Sequence, residues 1–122
     1  MCLKFDPQSL LLATGSLDHT MKVWDVDSGK EYLSLEKHTG EVVNLEFSSD
    51  GDKLVSSSFD GTALLWDLRT GKPVQRYEGH SAELSNSVFN FGGELVATSS
   101  LDKYIAFLLE HAGYGTLELL NA

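Results

Sequence analysis

Short apolar runs separated by turn-forming residues organise this chain. The run EVVNLEF ends at SSDG, DKLVSSS ends at FDG, and TALLWDL ends at RTGK. Loose alternation of this length, bounded by Gly, Asp, Ser and Thr, is typical of β-strands joined by tight turns. Because no segment carries a sustained apolar stripe with the 3.6-residue period of a helix, the pattern predicts an all-β fold with essentially no helix.

The turn residues support the same prediction. Gly51, Gly61 and Gly71 each follow an Asp or a Thr, at the place where a hairpin needs a backbone with positive φ. With PVQRYE counted as a fourth run, the central third of the chain is predicted to contain four antiparallel strands.

The pattern then repeats with a period of 42 residues. The aligned pairs include Phe5 and Phe47, Leu12 and Leu54, Asp18 and Asp60, Trp24 and Trp66, and Gly29 and Gly71. A third copy continues through Phe89, Ser100, Asp102 and Gly113. A fixed period of this size indicates a repeat architecture. We therefore divide the chain into a first unit (about 1–37), a middle unit (about 38–79) and a third unit (about 80–122).

These units resemble a known family. The stretches GSLDHTMKVWD and SSSFDGTALLWD, each closing on Trp-Asp, resemble blades of WD-repeat β-propellers. The resemblance implies a partial propeller of about three four-stranded antiparallel blades. The third unit departs from the family after Asp102, where Tyr104, Leu108 and Leu109 replace the expected Thr, Trp and Asp, so this blade is expected to be degenerate.

The resemblance also implies a hydrogen-bonded network in each blade, which joins an early His, a strand hydroxyl, the turn Asp and the Trp. Carried over to this chain, the network residues are His38, Ser58, Asp60 and Trp66 in the middle unit, Ser16, Asp18 and Trp24 in the first, and His80, Ser100 and Asp102 in the third. Such a network satisfies polar groups that burial would otherwise leave without partners. These residues are therefore interpreted as structural.

Ser, His and Asp are also the components of a hydrolase triad. The set recurs here with the period of the fold, and the sequence contains no G-x-S-x-G elbow. The four His are scattered, and Cys2 has no second Cys with which to form a zinc site. We therefore expect no enzyme activity, no catalytic residue, no metal and no cofactor.

Charge narrows the class of partner. The formal net charge is −9 and the acidic residues are spread along the chain, which disfavours nucleic acid and anionic membranes. A single cysteine and the lack of an apolar leader favour a cytoplasmic location. Proteins are the expected partners.

Two features suggest contacts with a partner. Phe59 and Leu101 are apolar residues that directly precede the turn Asp, so each either anchors a partner or packs against the neighbouring blade. Asp67 and Arg69 belong to a Trp-Asp-x-Arg sequence, which resembles the motif by which some propellers bind the adaptor of a cullin-type ubiquitin ligase. The alternative is that Arg69 is a solvated turn residue. The first unit has WDVD at this place, so Arg69 is not part of the repeat.

Within the family, the stretches FDPQSLLLATGSLDHTMKVWD, SSSFDGTALLWD and GHSAELSNSVFNFGGELVATSSLDK resemble consecutive middle blades of the WD-repeat factors for outer dynein arm assembly. This resemblance implies a non-enzymatic adaptor in axonemal dynein assembly and ciliary transport, located in the cytoplasm and at the cilium or its base. Its partners would be dynein arm or intraflagellar transport subunits. The alternative function is a substrate receptor of a ubiquitin ligase. Three blades do not close a ring, so we expect a piece of a larger propeller or self-association through open blade edges.

Overall fold

The computed structural model of the protein describes residues 2–77, 82–89, 95–100, 104–109 and 118–121. All regular structure within these residues is β-strand. The strands are β1 (Cys2–Phe5), β2 (Leu11–Gly15), β3 (Thr20–Asp25), β4 (Glu31–Glu36), β5 (Val42–Phe47), β6 (Lys53–Ser58), β7 (Ala63–Asp67), β8 (Lys72–Tyr77), β9 (Leu84–Phe89), β10 (Leu95–Ser100), β11 (Tyr104–Leu109) and β12 (Glu118–Asn121).

The strands form three four-stranded antiparallel sheets. The first sheet has the order β1-β2-β3-β4, the middle sheet β5-β6-β7-β8, and the third sheet β9-β10-β11-β12. Strand β1 lies against β5, and β5 lies against β9, so the sheets meet along their first strands. The predicted all-β fold of three four-stranded antiparallel blades is confirmed. The third unit also forms four paired strands, although its sequence departs from the repeat after Asp102.

One apolar core lies between the first and middle sheets, and a second lies between the middle and third sheets. In the first core, Met21 and Val23 of the first sheet pack with Leu54 and Trp66 of the middle sheet. In the second core, Val55 and neighbouring apolar residues of the middle sheet pack with Leu84 and Val96 of the third. Successive residues of a strand point to opposite faces, which is why adjacent positions of β6 enter different cores. The middle sheet is therefore covered on both faces.

The backbone follows the same period as the sequence. Positive φ occurs at Gly51 (77°) and Gly61 (87°), as predicted, and also at Ser9 (59°) and His19 (74°), which lie 42 residues earlier. The left-handed conformation is therefore a property of the turn, and it is kept where the residue is not glycine. No described helix is long and apolar enough to cross a membrane.

Candidate functional site

Four side chains of the middle unit form one chain of hydrogen bonds. The Trp66 Nε1–H donates to Ser56 Oγ (3.0 Å), and Ser56 Oγ lies 2.7 Å from His38 Nε2. On the other side of the ring, His38 Nδ1 lies 2.9 Å from Asp60 Oδ2. Because a carboxylate only accepts, His38 donates from Nδ1 and accepts from Ser56 at Nε2. Each group in the chain has its partner when His38 is neutral.

The hydroxyl in this chain corrects the sequence prediction, which named Ser58. Trp66 lies opposite Leu54 in the sheet, so Ser56 is its diagonal neighbour on the same face. Ser58 lies two residues further along β6, and its Oγ instead accepts a hydrogen bond from the Asp60 backbone N–H (3.0 Å). Ser56 therefore joins the network, and Ser58 holds the turn.

Burial sets the charge of His38, and hydrogen bonds set that of Asp60. The His38 side chain is fully buried, and burial lowers the pKa of its imidazole, an effect that the Asp60 carboxylate only partly offsets. Burial alone would raise the pKa of Asp60, but hydrogen bonds from Thr62, from the Thr39 N–H and from His38 outweigh it and lower this pKa. The arrangement therefore combines a neutral imidazole with an ionised carboxylate.

The network fastens two loops together. Asp60 accepts hydrogen bonds from the Thr39 N–H (3.0 Å) and from the Thr62 hydroxyl (2.5 Å). The Phe59 N–H donates to the Glu41 carbonyl (2.9 Å). A Cβ atom on Gly40 would lie 2.8 Å from the Asp60 nitrogen, so only glycine allows this close approach. The turn that carries Phe59 is therefore held from both sides.

The first unit contains two separate parts of the network. Trp24 Nε1 donates to the Thr14 hydroxyl (3.1 Å), whereas the prediction named Ser16. The Ser16 Oγ accepts from the Asp18 N–H (3.3 Å), and Asp18 in turn accepts from the Thr20 hydroxyl (2.6 Å). The correction has the same cause as in the middle unit, since Trp24 lies opposite Leu12 and is the diagonal neighbour of Thr14.

In the third unit, the Ser100 Oγ lies within hydrogen-bond distance of the carbonyls of Ala82 (3.1 Å) and Glu83 (2.9 Å), either of which can accept its proton. The other predicted residues of this unit, His80, Asp102 and Leu101, lie outside the described residues.

The chemistry available at the network is limited by access. Ser56 and the side chain of His38 are both fully buried, and the hydroxyl proton of Ser56 is already directed to the imidazole. A substrate carbonyl therefore has no route to this serine, in contrast to the exposed serine of a hydrolase. Among the described residues, no group of three or more His, Cys, Asp or Glu could hold a metal ion.

Phe59, one of the predicted contact residues, lies at the surface. Phe59 is 47% exposed, and Leu17, 42 residues earlier at the same turn position, is 58% exposed. Phe59 therefore presents about half of its surface to solvent, and both predicted alternatives for it, contact with a partner and packing against the neighbouring blade, stay predictions.

Arg69 is exposed and already has one partner. Its Nη2 donates to Asp52 Oδ2 at 2.6 Å, while its side chain keeps 75% of its surface in solvent. The Asp67 carboxylate accepts a hydrogen bond from the Arg69 backbone N–H (2.9 Å). Asp25 accepts the equivalent bond from the Asp27 N–H in the first unit (2.9 Å), so this role of Asp67 belongs to the repeat.

Comparison with protein families gives three matches to one description, "WD domain, G-beta repeat", over residues 1–25, 29–67 and 71–107. The second match begins just before β4 of the first sheet and ends with β7 of the middle sheet. The sequence repeat is therefore offset from the sheets by one strand, so that it links neighbouring sheets.

The curated relatives each match less than half of this chain, and the matched segment is a small part of the relative's own length. Periodic tryptophan protein 2 of Arabidopsis thaliana is 41% identical over 54 residues, which is 44% of this chain and 6% of that protein. Ribosome assembly protein 4 of Chaetomium thermophilum is 46% identical over 52 residues (42% and 10%). WD repeat and SOCS box-containing protein 1 of Xenopus tropicalis is 44% identical over 52 residues (43% and 12%).

A solved structure matches almost the whole chain. The β-propeller domain of Cps50 (Swd1) from Myceliophteria thermophila superposes with a TM-score of 0.92 at 21% identity. The match covers 98% of this chain and 38% of that one. At this identity the likeness shows the propeller fold alone.

Proposed function

Because the chain belongs to the WD40 family of WD-domain, G-beta repeats, we propose that it is a non-enzymatic scaffold that binds other proteins. The observation that carries this proposal is the exposed Phe59 on a turn that hydrogen bonds hold in place. An aromatic side chain on a rigid support loses little conformational entropy on binding, which is the usual property of an interface anchor.

The buried network supports this function indirectly. Its polar groups bond to one another, so the network positions the turn without facing a substrate. Leu17 occupies the same turn position in the first sheet and is also exposed. Two apolar anchors thus lie at the same end of neighbouring sheets, where one partner can contact both.

The more specific form of the proposal is an adaptor for outer dynein arm assembly and ciliary transport, acting in the cytoplasm and at the cilium or its base. It rests on the sequence resemblance of stretches in all three units to such factors. Dynein arm or intraflagellar transport subunits are then the partners. Self-association through the uncovered face of the first sheet is part of the same proposal.

A second candidate is a substrate receptor of a cullin-type ubiquitin ligase. It is favoured by Arg69, which follows the Trp-Asp pair and presents most of its guanidinium to solvent. Its pairing with Asp52 uses only part of a group that has five N–H donors, so further donors are available to a partner.

Affinity capture from ciliated cells, with identification of the bound proteins by mass spectrometry, tests both candidates. We expect the wild-type chain to retain dynein arm or transport subunits and the Phe59→Ser variant to lose most of them, because the anchor is removed at an exposed position. Val74→Ser is the matched control, since Val74 is a similarly exposed apolar residue on strand β8, away from the turn.

Different outcomes separate the candidates. Capture of a ligase adaptor that is lost with Arg69→Ala supports the second candidate. If Phe59→Ser and Val74→Ser retain the same proteins as the wild type, the proposal that the turn of Phe59 binds partners is wrong.

A further inference from the structure

A groove of about 290 Å³ lies where the segment after β4 of the first sheet meets β7 and β8 of the middle sheet. Its wall combines apolar surface with two cations and consists of Lys37, Leu64, Pro73, Val74, Gln75 and Arg76. Val74 is 53% exposed and Leu64 only 4% exposed, so the valine offers most of the open apolar surface. The groove lies just below the range of small-molecule sites, about 300–1,000 Å³, so it suits a few side chains of a larger ligand.

The register of β7 and β8 explains which side chains face this groove. Leu64 lies opposite Arg76, and Val74 lies two residues before Arg76 on the same strand, so the three side chains share one face of the middle sheet. This is the face that packs against the first sheet, because Leu64 belongs to the first core. Gln75 lies opposite Leu65 on the other face, so it borders the groove with its backbone.

Both charged residues of the groove are cations. Lys37 and Arg76 are exposed, and no carboxylate is among the described residues that line the groove. Burial is the main cause of the lowered pKa of His38, and the charge of Arg76 lowers it further, so this cation also lies near the network. Because the chain as a whole carries a formal net charge of −9, the groove is a local exception. Its charge is complementary to a carboxylate.

The edge of the middle sheet runs along the same groove. Among the described strands, β8 is the outer strand of this sheet and pairs with β7 alone. An outer strand directs part of its backbone N–H and C=O groups away from the sheet, where an extended peptide can bond to them. Pro73 provides no N–H, so the available donors belong to the other residues of the strand. A peptide segment therefore fits this groove better than a free carboxylate does.

We infer that the groove binds an extended segment of a partner protein in which an apolar side chain lies beside an acidic one. The apolar side chain contacts Leu64, Pro73 and Val74, and the carboxylate binds Lys37 and Arg76. The inference rests on the proposed scaffold function and adds a second contact surface, which shares no residue with the turn of Phe59.

The test measures the binding of fluorescent six-residue peptides with blocked ends. The first peptide contains two leucines and two aspartates; in the second, asparagine replaces aspartate, and in the third, serine replaces leucine. Asparagine keeps the shape of the side chain and removes its charge. We expect the second and third peptides to bind about threefold to tenfold more weakly than the first. Added salt should weaken the aspartate peptide more than the asparagine peptide.

Two pairs of variants locate the binding site. Lys37→Gln removes a charge from the groove and should weaken the aspartate peptide about twofold to fivefold, whereas Lys30→Gln, on the exposed β3–β4 turn, should bind like the wild type. Val74→Ser removes apolar surface and should weaken the same peptide about threefold to tenfold. Val26→Ser makes the same exchange at a 41% exposed position outside the groove, so it should bind like the wild type.

The four variants alter exposed side chains, and the urea midpoint of each one shows that it is folded. Equal affinity for the aspartate and asparagine peptides, or equal losses in Lys37→Gln and Lys30→Gln, overturns the inference. Val74→Ser leaves the turn of Phe59 intact, so it should still capture the proteins that bind through Phe59. The scaffold function can therefore stand when the groove proposal fails.

Discussion

A single buried imidazole determines the direction of every hydrogen bond in the network of the middle unit. His38 must donate to Asp60 and accept from Ser56, and Ser56 in turn accepts from Trp66. A second proton on His38 would turn Nε2 into a donor, leave Ser56 only the distant Leu64 carbonyl (3.5 Å) as an acceptor, and place a positive charge in a buried site. The network is therefore more stable with a neutral imidazole than with a charged one.

This requirement predicts that acid destabilises the chain. Burial lowers the pKa of folded His38 below its usual 6.5, so the unfolded state takes up the proton first as pH falls, and stability is lost progressively below about pH 6.5. Asp60 also costs stability as pH falls, because its folded pKa is lowered too, but this loss begins only below its usual pKa of 3.8. Between pH 7 and pH 5 the urea midpoint should therefore fall mainly through His38.

The variants that check this are His38→Gln and His19→Asn. Gln removes the titration, so the slope of the midpoint between about pH 7 and pH 5 should largely vanish, although the variant is less stable throughout. His19 lies exposed at a turn with positive φ, which Asn tolerates, so His19→Asn should keep the wild-type slope. An unchanged slope in His38→Gln would show that other groups control the acid sensitivity.

At the scale of turns, the first and middle units place different residues in one backbone conformation. His19 and Gly61 both have positive φ at the same position of the β2–β3 and β6–β7 turns. The conformation costs a non-glycine residue about 1–2 kcal/mol, and glycine avoids this at the expense of about 0.5–1 kcal/mol of unfolded-chain entropy.

We therefore expect opposite effects from two exchanges. His19→Gly should raise the free energy of unfolding by up to about 1 kcal/mol, because it relieves the strained backbone. Gly61→Ala should lower it by at least about 1 kcal/mol, because alanine must adopt the strained conformation. Urea denaturation of the two variants and the wild type measures both changes in the free energy of unfolding. If the two variants change this free energy in the same direction, this account is wrong.

The strands themselves could be predicted from the sequence because each one is a local pattern ended by a turn residue. The network could be predicted only in part. The run SSS at positions 56–58 contains three hydroxyls, and the one that meets Trp66 depends on the pairing of Leu54 with Trp66 across two strands. That register is a tertiary property. Turns of the first and middle units likewise meet around one groove, which no pattern along the chain predicts.

At the scale of the molecule, corresponding residues of the first and middle sheets have different surroundings. Leu45 is fully buried and Phe47 is 7% exposed, because the first sheet covers this face of the middle sheet. Their counterparts 42 residues earlier, Leu3 and Phe5, are 62% and 55% exposed. Leu45 and Phe47 share a core with Ala13, Met21 and Val23 of the first sheet. A surface like that formed by these three residues would therefore fit on the exposed face of the first sheet.

The variants Leu45→Ala and Leu3→Ala together test whether the exposed face of the first sheet binds a surface of this kind on a second copy of the chain in solution. Leu45→Ala should lower the free energy of unfolding by about 2–5 kcal/mol, because it leaves a cavity in a closed core. Leu3→Ala should change it by less than about 0.5 kcal/mol while the face is open.

If the chain self-associates through this face, the wild-type urea midpoint rises between about 1 and 100 µM protein, and Leu3→Ala abolishes the rise. A midpoint independent of concentration in both proteins excludes self-association through the first sheet over this range, because coupled association must stabilise the folded state as the concentration increases.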